Sequence, residues 1–242
     1  QQAVIKALNS ENIGLIQGPP GTGKTKVIKE IIGQVVTKSI KTADSPRILI
    51  VSQSHTAVDN ILEGLDSTIS DDLEIVRIGA DKNVSPKITC RYTMPAHRDK
   101  LFFDVKKNVE EYDKSMEEVY QDISDQRILD RWKKIKEIQK DWIDRSVEKD
   151  CLDYQLVRSA TVIAGTCIGF LANSFVKDME FDYVIIDEAA KATTPELLVS
   201  IIKAKKIILV GDQNQLPAYA DQSISPKIAK LTKNPEYRMF DI

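Results

Sequence analysis

The sequence predicts an α/β domain built on a mainly parallel sheet covered by helices, with one helical insertion. Three observations carry this. Short apolar, β-branched runs recur at 48–51, 75–78, 161–164, 183–186 and 207–210, with a further short apolar stretch at 14–17. Such near-continuous runs suit strands buried on both faces. Helical stretches fall between them, at 27–36, 56–65 and 195–203, the alternation of a doubly wound domain. From 95 to 150 glycine disappears, charges crowd in and no strand-like run survives. The expected division is therefore a body of 1–94 and 151–242 and an inserted arm of 95–150.

The first strand, Gly14-Leu15-Ile16-Gln17, runs into Gly18-Pro19-Pro20-Gly21-Thr22-Gly23-Lys24-Thr25, a complete Walker A spacing. Glycines let the backbone curl with its N–H groups inward, making a nest for phosphate oxygens. Lys24 brings a positive charge to the outer phosphates, and Thr25 offers an oxygen to a magnesium ion. Val27, Ile28, Ile31, Ile32, Val35 and Val36 then recur at helical spacing. The loop thus opens a helix whose N-terminus attracts the same anion. Residues 18–25 are the candidate nucleotide-binding set.

The strand at 48–51 leads into Ser52-Gln53-Ser54-His55-Thr56-Ala57-Val58-Asp59-Asn60, a turn rich in hydroxyls before a helix. The strand at 75–78 contains Arg77 in Val76-Arg77-Ile78-Gly79, to which residue chemistry assigns no role.

In the insertion, Val105, Val109, Tyr112, Met116, Val119 and Ile123 are spaced four, three, four, three, four, the seam of a coiled coil. The phase breaks at Ser124-Asp125, and a second stripe follows at Ile128, Trp132, Ile135 and Trp142. Two long helices folded back as a hairpin are expected. The first arm (99–125) has 4 basic and 9 acidic residues, a net of −5; the second (126–150) has 8 and 6, a net of +2, so antiparallel arms attract. The arm reads first as a structural, solvated spacer; the alternative is an arm that touches nucleic acid or a partner.

Phe181-Asp182-Tyr183-Val184-Ile185-Ile186-Asp187-Glu188 is an apolar strand ending in two acids, a Walker B arrangement. Asp187 is placed to hold magnesium with Thr25, and Glu188 to orient or deprotonate the attacking water. The last strand delivers Gly211-Asp212-Gln213-Asn214-Gln215-Leu216-Pro217 to the same edge. Gln215 both donates and accepts hydrogen bonds, which suits reporting on the γ-phosphate. Lys24, Glu188 and Gln215 are thus the candidate catalytic residues.

Composition sets the outer limits. The 242 residues are 42% hydrophobic and 29% charged, enough for a large core with a solvated surface. No apolar run reaches the length of a membrane span and the start does not read as a signal peptide. Cys90, Cys151 and Cys167 fit neither a disulfide framework nor a zinc site, which points to a reducing interior: cytoplasmic, or nuclear in a eukaryote. The net charge of −2 does not advertise nucleic-acid binding. Backbone N–H groups and helix ends can nonetheless hold phosphates without it.

The ordered set of motifs resembles superfamily 1 helicases, in particular the 1B branch of senataxin and nonsense-mediated-decay type. Ser52 to Asn60 looks like motif Ia, Thr161 to Phe170 like segment Ic with Gly165-Thr166 at its centre, Asp187-Glu188-Ala189-Ala190 like motif II, and Gly211 to Pro217 like motif III. His55, Lys191 and Ala218 stand where the branch usually has Asn, Gln and Pro. The resemblance implies a first RecA-like P-loop domain using ATP and Mg2+. It implies single-stranded DNA or RNA held at Ser54, Thr56 and Thr166, and movement from 5′ to 3′. It further implies a second RecA-like domain supplying arginines and an adenine-reading Gln ahead of Gln1, both expected outside this chain. Other expected partners are a protein at the helical arm, and no membrane. Two alternatives remain open: a nucleotide-gated P-loop scaffold that binds a protein partner, and a P-loop NTPase of another kind, although no LSGGQ-like signature is present.

Overall fold

Six strands form one sheet in the order β1-β6-β5-β2-β4-β3: β1 (Ile13–Gln17), β2 (Ile48–Ser52), β3 (Ile75–Arg77), β4 (Val162–Thr166), β5 (Phe181–Asp187) and β6 (Ala204–Gly211). Every pairing is parallel. The computed structural model describes residues 1–42, 46–65, 73–80, 83–120, 125–146 and 149–215. Of the sequence expectations, Ile123, Ser124 and the stretch from Leu216 through Pro217 and Ala218 lie outside these.

All five residues of β2 are buried, and their alternation divides the core. Ile48 and Ile50 face a layer made by α1 (Gln2–Asn9), α2 (Lys24–Thr42), α3 (His55–Glu63) and α4 (Pro86–Tyr92). Leu49 and Val51 face the opposite layer, with Val157 of α7 (Lys149–Ser159), Val176 of α8 (Ser174–Lys177) and Phe170. Helix α9 (Thr194–Ile201) lies on that second side. It begins with a reciprocal capping box between Thr193 and Glu196. Central strands of a parallel sheet are covered on both faces, which is why their runs read as continuous. β1, at the edge, departs from this expectation and leaves Ile13 and Leu15 exposed.

The insertion is a hairpin of α5 (Met94–Tyr120) and α6 (Gln126–Ser146). Tyr120 lies against Trp132 with ring centroids 4.9 Å apart, and Lys136 bonds Glu117 at 2.8 Å while sitting 4.0 Å over the Trp132 ring. Its base is tied down by Arg98, whose guanidinium reaches both Asp153 oxygens of α7 at 3.0 Å.

The seam differs from the one expected. On α5 beyond Arg98 the half-buried positions are Phe102, Val105, Val109, Asp113, Met116 and Tyr120; Tyr112 and Val119 are exposed. On α6 they are Leu129, Trp132, Lys136 and Gln139, followed by buried Ile143, while Ile128, Ile135 and Trp142 are exposed. The steps 102-105-109-113 run three, four, four, as a straight helix of 3.6 residues per turn drifts away from a strict heptad. Lys136 draws Asp113 inward, 3.6 Å away, where apolar periodicity favoured Tyr112.

Candidate nucleotide and nucleic-acid edge

Parallel strands deliver all their C-terminal ends to one edge, where open α/β sheets bind ligands. Strand order decides which loops meet there. β1 ends in the Walker A loop, its neighbour β6 in Gly211-Asp212, and the next strand β5 in Asp187-Glu188. β2 and β4 follow, ending at Ser52 and Thr166. Gln17 is in register with Gly211, and Ser52 with both Asp187 and Thr166. Five loops far apart in sequence thus line one continuous ledge.

The phosphate loop needs its glycines: Gly21 and Gly23 have φ of +77° and +85°, a region that side chains strain. Gly18 N donates to Gly211 O at 3.1 Å, locking the loop to β6. Lys24 folds back on the loop, donating to Gly18 O at 2.7 Å and Pro19 O at 3.1 Å. Pro19 O also accepts from Thr22 Oγ1 at 2.7 Å. Pro20 is exposed on the loop, and Thr25 is half-buried in the first turn of α2.

Asp187 is 6% exposed and accepts the Glu188 N–H at 2.9 Å. Burial pushes its carboxyl above the ordinary range and the Glu188 charge adds to the rise, while the Glu188 N–H, Lys24 and Lys191 oppose it. Among the described residues it has no salt-bridge partner. A carboxylate kept this dry, in a site with a threonine hydroxyl on the phosphate loop, fits an oxygen-seeking divalent cation that keeps its remaining ligands from water and phosphate.

Glu188 is the one non-glycine residue with positive φ among those described, at 52°. Such backbone is costly for a side-chain-bearing residue and clusters at functional sites. It turns the side chain into a narrow cavity of about 30 Å³ lined by Lys24, Glu188, Ala190, Lys191, Gly211, Asp212 and Gln215. The three candidate catalytic residues therefore meet. Gln215 reaches this cavity because Asp212 holds it, accepting its Nε2–H at 3.2 Å.

The three candidate strand-contacting residues share the ledge but not the same freedom. Ser54 Oγ caps α3 by accepting the Ala57 N–H at 3.2 Å, and Thr166 Oγ1 accepts the Gly169 N–H at 3.1 Å. Thr56 is exposed at the start of α3. Both capping hydroxyls keep a donor hydrogen.

Sequence reasoning overlooked two features. Lys191 pairs with Glu188 at 2.7 Å, and its only trace was a lysine in place of a glutamine. Ser52 Oγ is buried beside Asp187 without a hydrogen-bond partner among the described residues, which strand periodicity does not reveal.

Residues 1–221 match the family model AAA_11, described as AAA domain. An uncharacterized ATP-dependent helicase of Methanocaldococcus jannaschii is 31% identical over 89% of this chain and 36% of its own length. The DNA polymerase alpha-associated DNA helicase A of Schizosaccharomyces pombe is 30% identical over 100% of the chain and 33% of its own length. Regulator of nonsense transcripts 1 of Caenorhabditis elegans is 31% identical over 89% of the chain and 18% of its own length. The chain thus spans about a third or less of these curated relatives. Among the described residues no helix is long and apolar enough to cross a membrane. With the phosphate loop, the acidic strand end and the parallel sheet in one order, the chain belongs to the AAA_11 family and is a first RecA-like domain of superfamily 1 helicase type.

Proposed function

We propose that this chain is the ATP-binding half of a motor that moves along single-stranded DNA or RNA, with 95–150 as an arm on the ATPase body. ATP binds over residues 18–25, its phosphates against the loop N–H groups and Lys24. Thr25 and Asp187 hold Mg2+, which when bound screens the charge that develops on the γ-phosphate. Glu188 takes the proton of the attacking water, and Gln215 couples the γ-phosphate to the neighbouring ledge. There Ser54, Thr56 and Thr166 hold the strand backbone through hydroxyls, without reading sequence. Transition-state charge is completed by cations from a second RecA-like domain. Movement from 5′ to 3′ in the cytoplasm or nucleus follows from the family resemblance.

The observation that carries this reading is the order of strand ends, with phosphate-loop, water-activating and hydroxyl-bearing turns side by side on one edge. The test is titration of a fluorescent ATP analogue with Mg2+, together with turnover with and without a single strand. Wild-type chain should bind nucleotide yet hydrolyse it poorly, and Lys24→Ala should weaken binding by more than about tenfold, roughly 1.4 kcal/mol. Unchanged affinity in Lys24→Ala would sink the nucleotide assignment. Robust strand-stimulated turnover would sink the claim that a second domain completes catalysis.

A further inference from the structure

Arg77 is the largest fully buried side chain among the described residues, and neither the nucleotide chemistry nor the core packing explains a guanidinium there. A buried charge is tolerated only when paired and hydrogen-bonded. Asp59 of α3 supplies the pair, at 2.9 Å from Arg77 Nε. The other Asp59 oxygen accepts the Ser85 N–H at 2.7 Å, and Arg77 also donates to Ile78 O. The remaining arm of the guanidinium, Nη2, lies 3.1 Å from Nδ1 of His55, the first residue of α3, between Ser54 and Thr56.

The chemistry of this contact has one solution. Guanidinium only donates, so His55 Nδ1 must accept, which leaves the imidazole neutral with its proton on Nε2. Burial lowers the His55 pKa, the Arg77 charge lowers it further, and Asp59 opposes them. Arg77 from β3 and Asp59 from α3 are the charged groups that bear on the ring. Among the described residues Nε2 has no hydrogen-bond partner, and the residue is only half-buried. A neutral N–H donor thus belongs to the turn that carries Ser54 and Thr56, its ring held by an ion pair whose net charge is zero.

We propose that His55 is a phosphodiester contact for the bound single strand, locked by Arg77 as a neutral Nε2–H donor. Arg77 and Asp59 are positioning residues: they touch no nucleic acid, but they fix the ring's tautomer and direction. This rests on the nucleic-acid reading above and adds a consequence which that reading alone does not have. A neutral donor releases no counterion, so the contact adds affinity without adding salt dependence. An imidazolium would instead steepen the salt slope by about 0.7 for a single strand. The contact should also be insensitive to pH where a free histidine would titrate, near about 6.5.

The experiment measures binding of a fluorescein-labelled oligo-dT and an oligo-U by anisotropy, across salt and between pH 5.5 and 8, to wild-type chain, His55→Ala and His55→Asn. A hydrogen bond to a charged phosphate predicts a loss of roughly tenfold or more in His55→Ala. The salt slope should not change, and wild-type affinity should be flat with pH. His55→Asn, whose amide can accept from Arg77 and donate outward, should bind nearly as wild type does. Imidazole 15N spectra, with His97 as the only other histidine, should show His55 unprotonated at Nδ1 throughout. Affinity unchanged in His55→Ala, or a slope that flattens in it, overturns the contact. A doubly protonated ring at pH 6 overturns the lock. A wild-type chain that binds neither strand overturns the nucleic-acid reading itself, whatever the ring's tautomer.

Discussion

The sheet and the hairpin are built from similar numbers of apolar residues, yet they bury them to opposite extents. Every residue of β2 is buried, whereas α5, with 27 residues, buries none and α6 closes its seam on Ile143. The central strands are covered by helices on both faces, while the hairpin, beyond the base where α5 meets α4 and α7, has only its own two helices to pack. Rigidity is therefore concentrated where strand ends must hold phosphate-binding loops in register. The arm can vary in length and sequence at little cost to that edge.

Truncations should expose the difference most strongly. Ile50→Ala, at a fully buried position in β2, should cost about 2–5 kcal/mol, with the midpoint of urea unfolding falling accordingly. Val109→Ala in the half-buried hairpin seam should cost about 1 kcal/mol or less. Equal losses would mean that the hairpin is part of the same packed core.

Charge sharpens the contrast on a smaller scale. The raised pKa of Asp187 means that the folded chain holds its proton more tightly than the unfolded chain does. Stability contributed by the neutral form is present below the ordinary aspartate pKa of about 3.9 and lost as pH rises through the folded value. At pH 7 without divalent cation, Asp187→Asn should raise Tm by about 2–4 °C, the response of a domain this size to roughly 1 kcal/mol. The variant should also lose any stabilisation by Mg2+ and nucleotide. A lower Tm would show that the ionised carboxylate is satisfied within the fold.

The smallest effect is spectroscopic. Both tryptophans, Trp132 and Trp142, lie on α6, so their emission reports the hairpin while far-UV circular dichroism reports the whole chain. Emission should change at lower denaturant than the dichroism. Coincident transitions would make arm and body one cooperative unit.

What could be read in advance follows the range of the interactions. Runs at 48–51 and 183–186 were legible because burial on both faces erases alternation, and Gly21, Gly23, Lys24 and Asp187 because their chemistry fixes their spacing. The helices α1, α4 and α7 were not anticipated, since short stretches such as Gln2–Asn9 carry too few turns to establish a period. Hairpin phase failed by one residue at Tyr112 and Val119. Neighbouring positions of a marginally apolar helix differ little in burial, and the Lys136–Asp113 attraction tips the choice.

The sequence by itself determined the phosphate loop, the acidic strand end and the α/β alternation, because each is written in residues a few positions apart. Only the tertiary structure decided that β6 and β5 lie between β1 and β2, so that loops from five strands form one ledge. It alone joined Arg77 to Asp59 and His55, 18 and 22 residues away. Strand order and buried ion pairs arise from contacts between distant segments. No local pattern of hydrophobicity or charge encodes them.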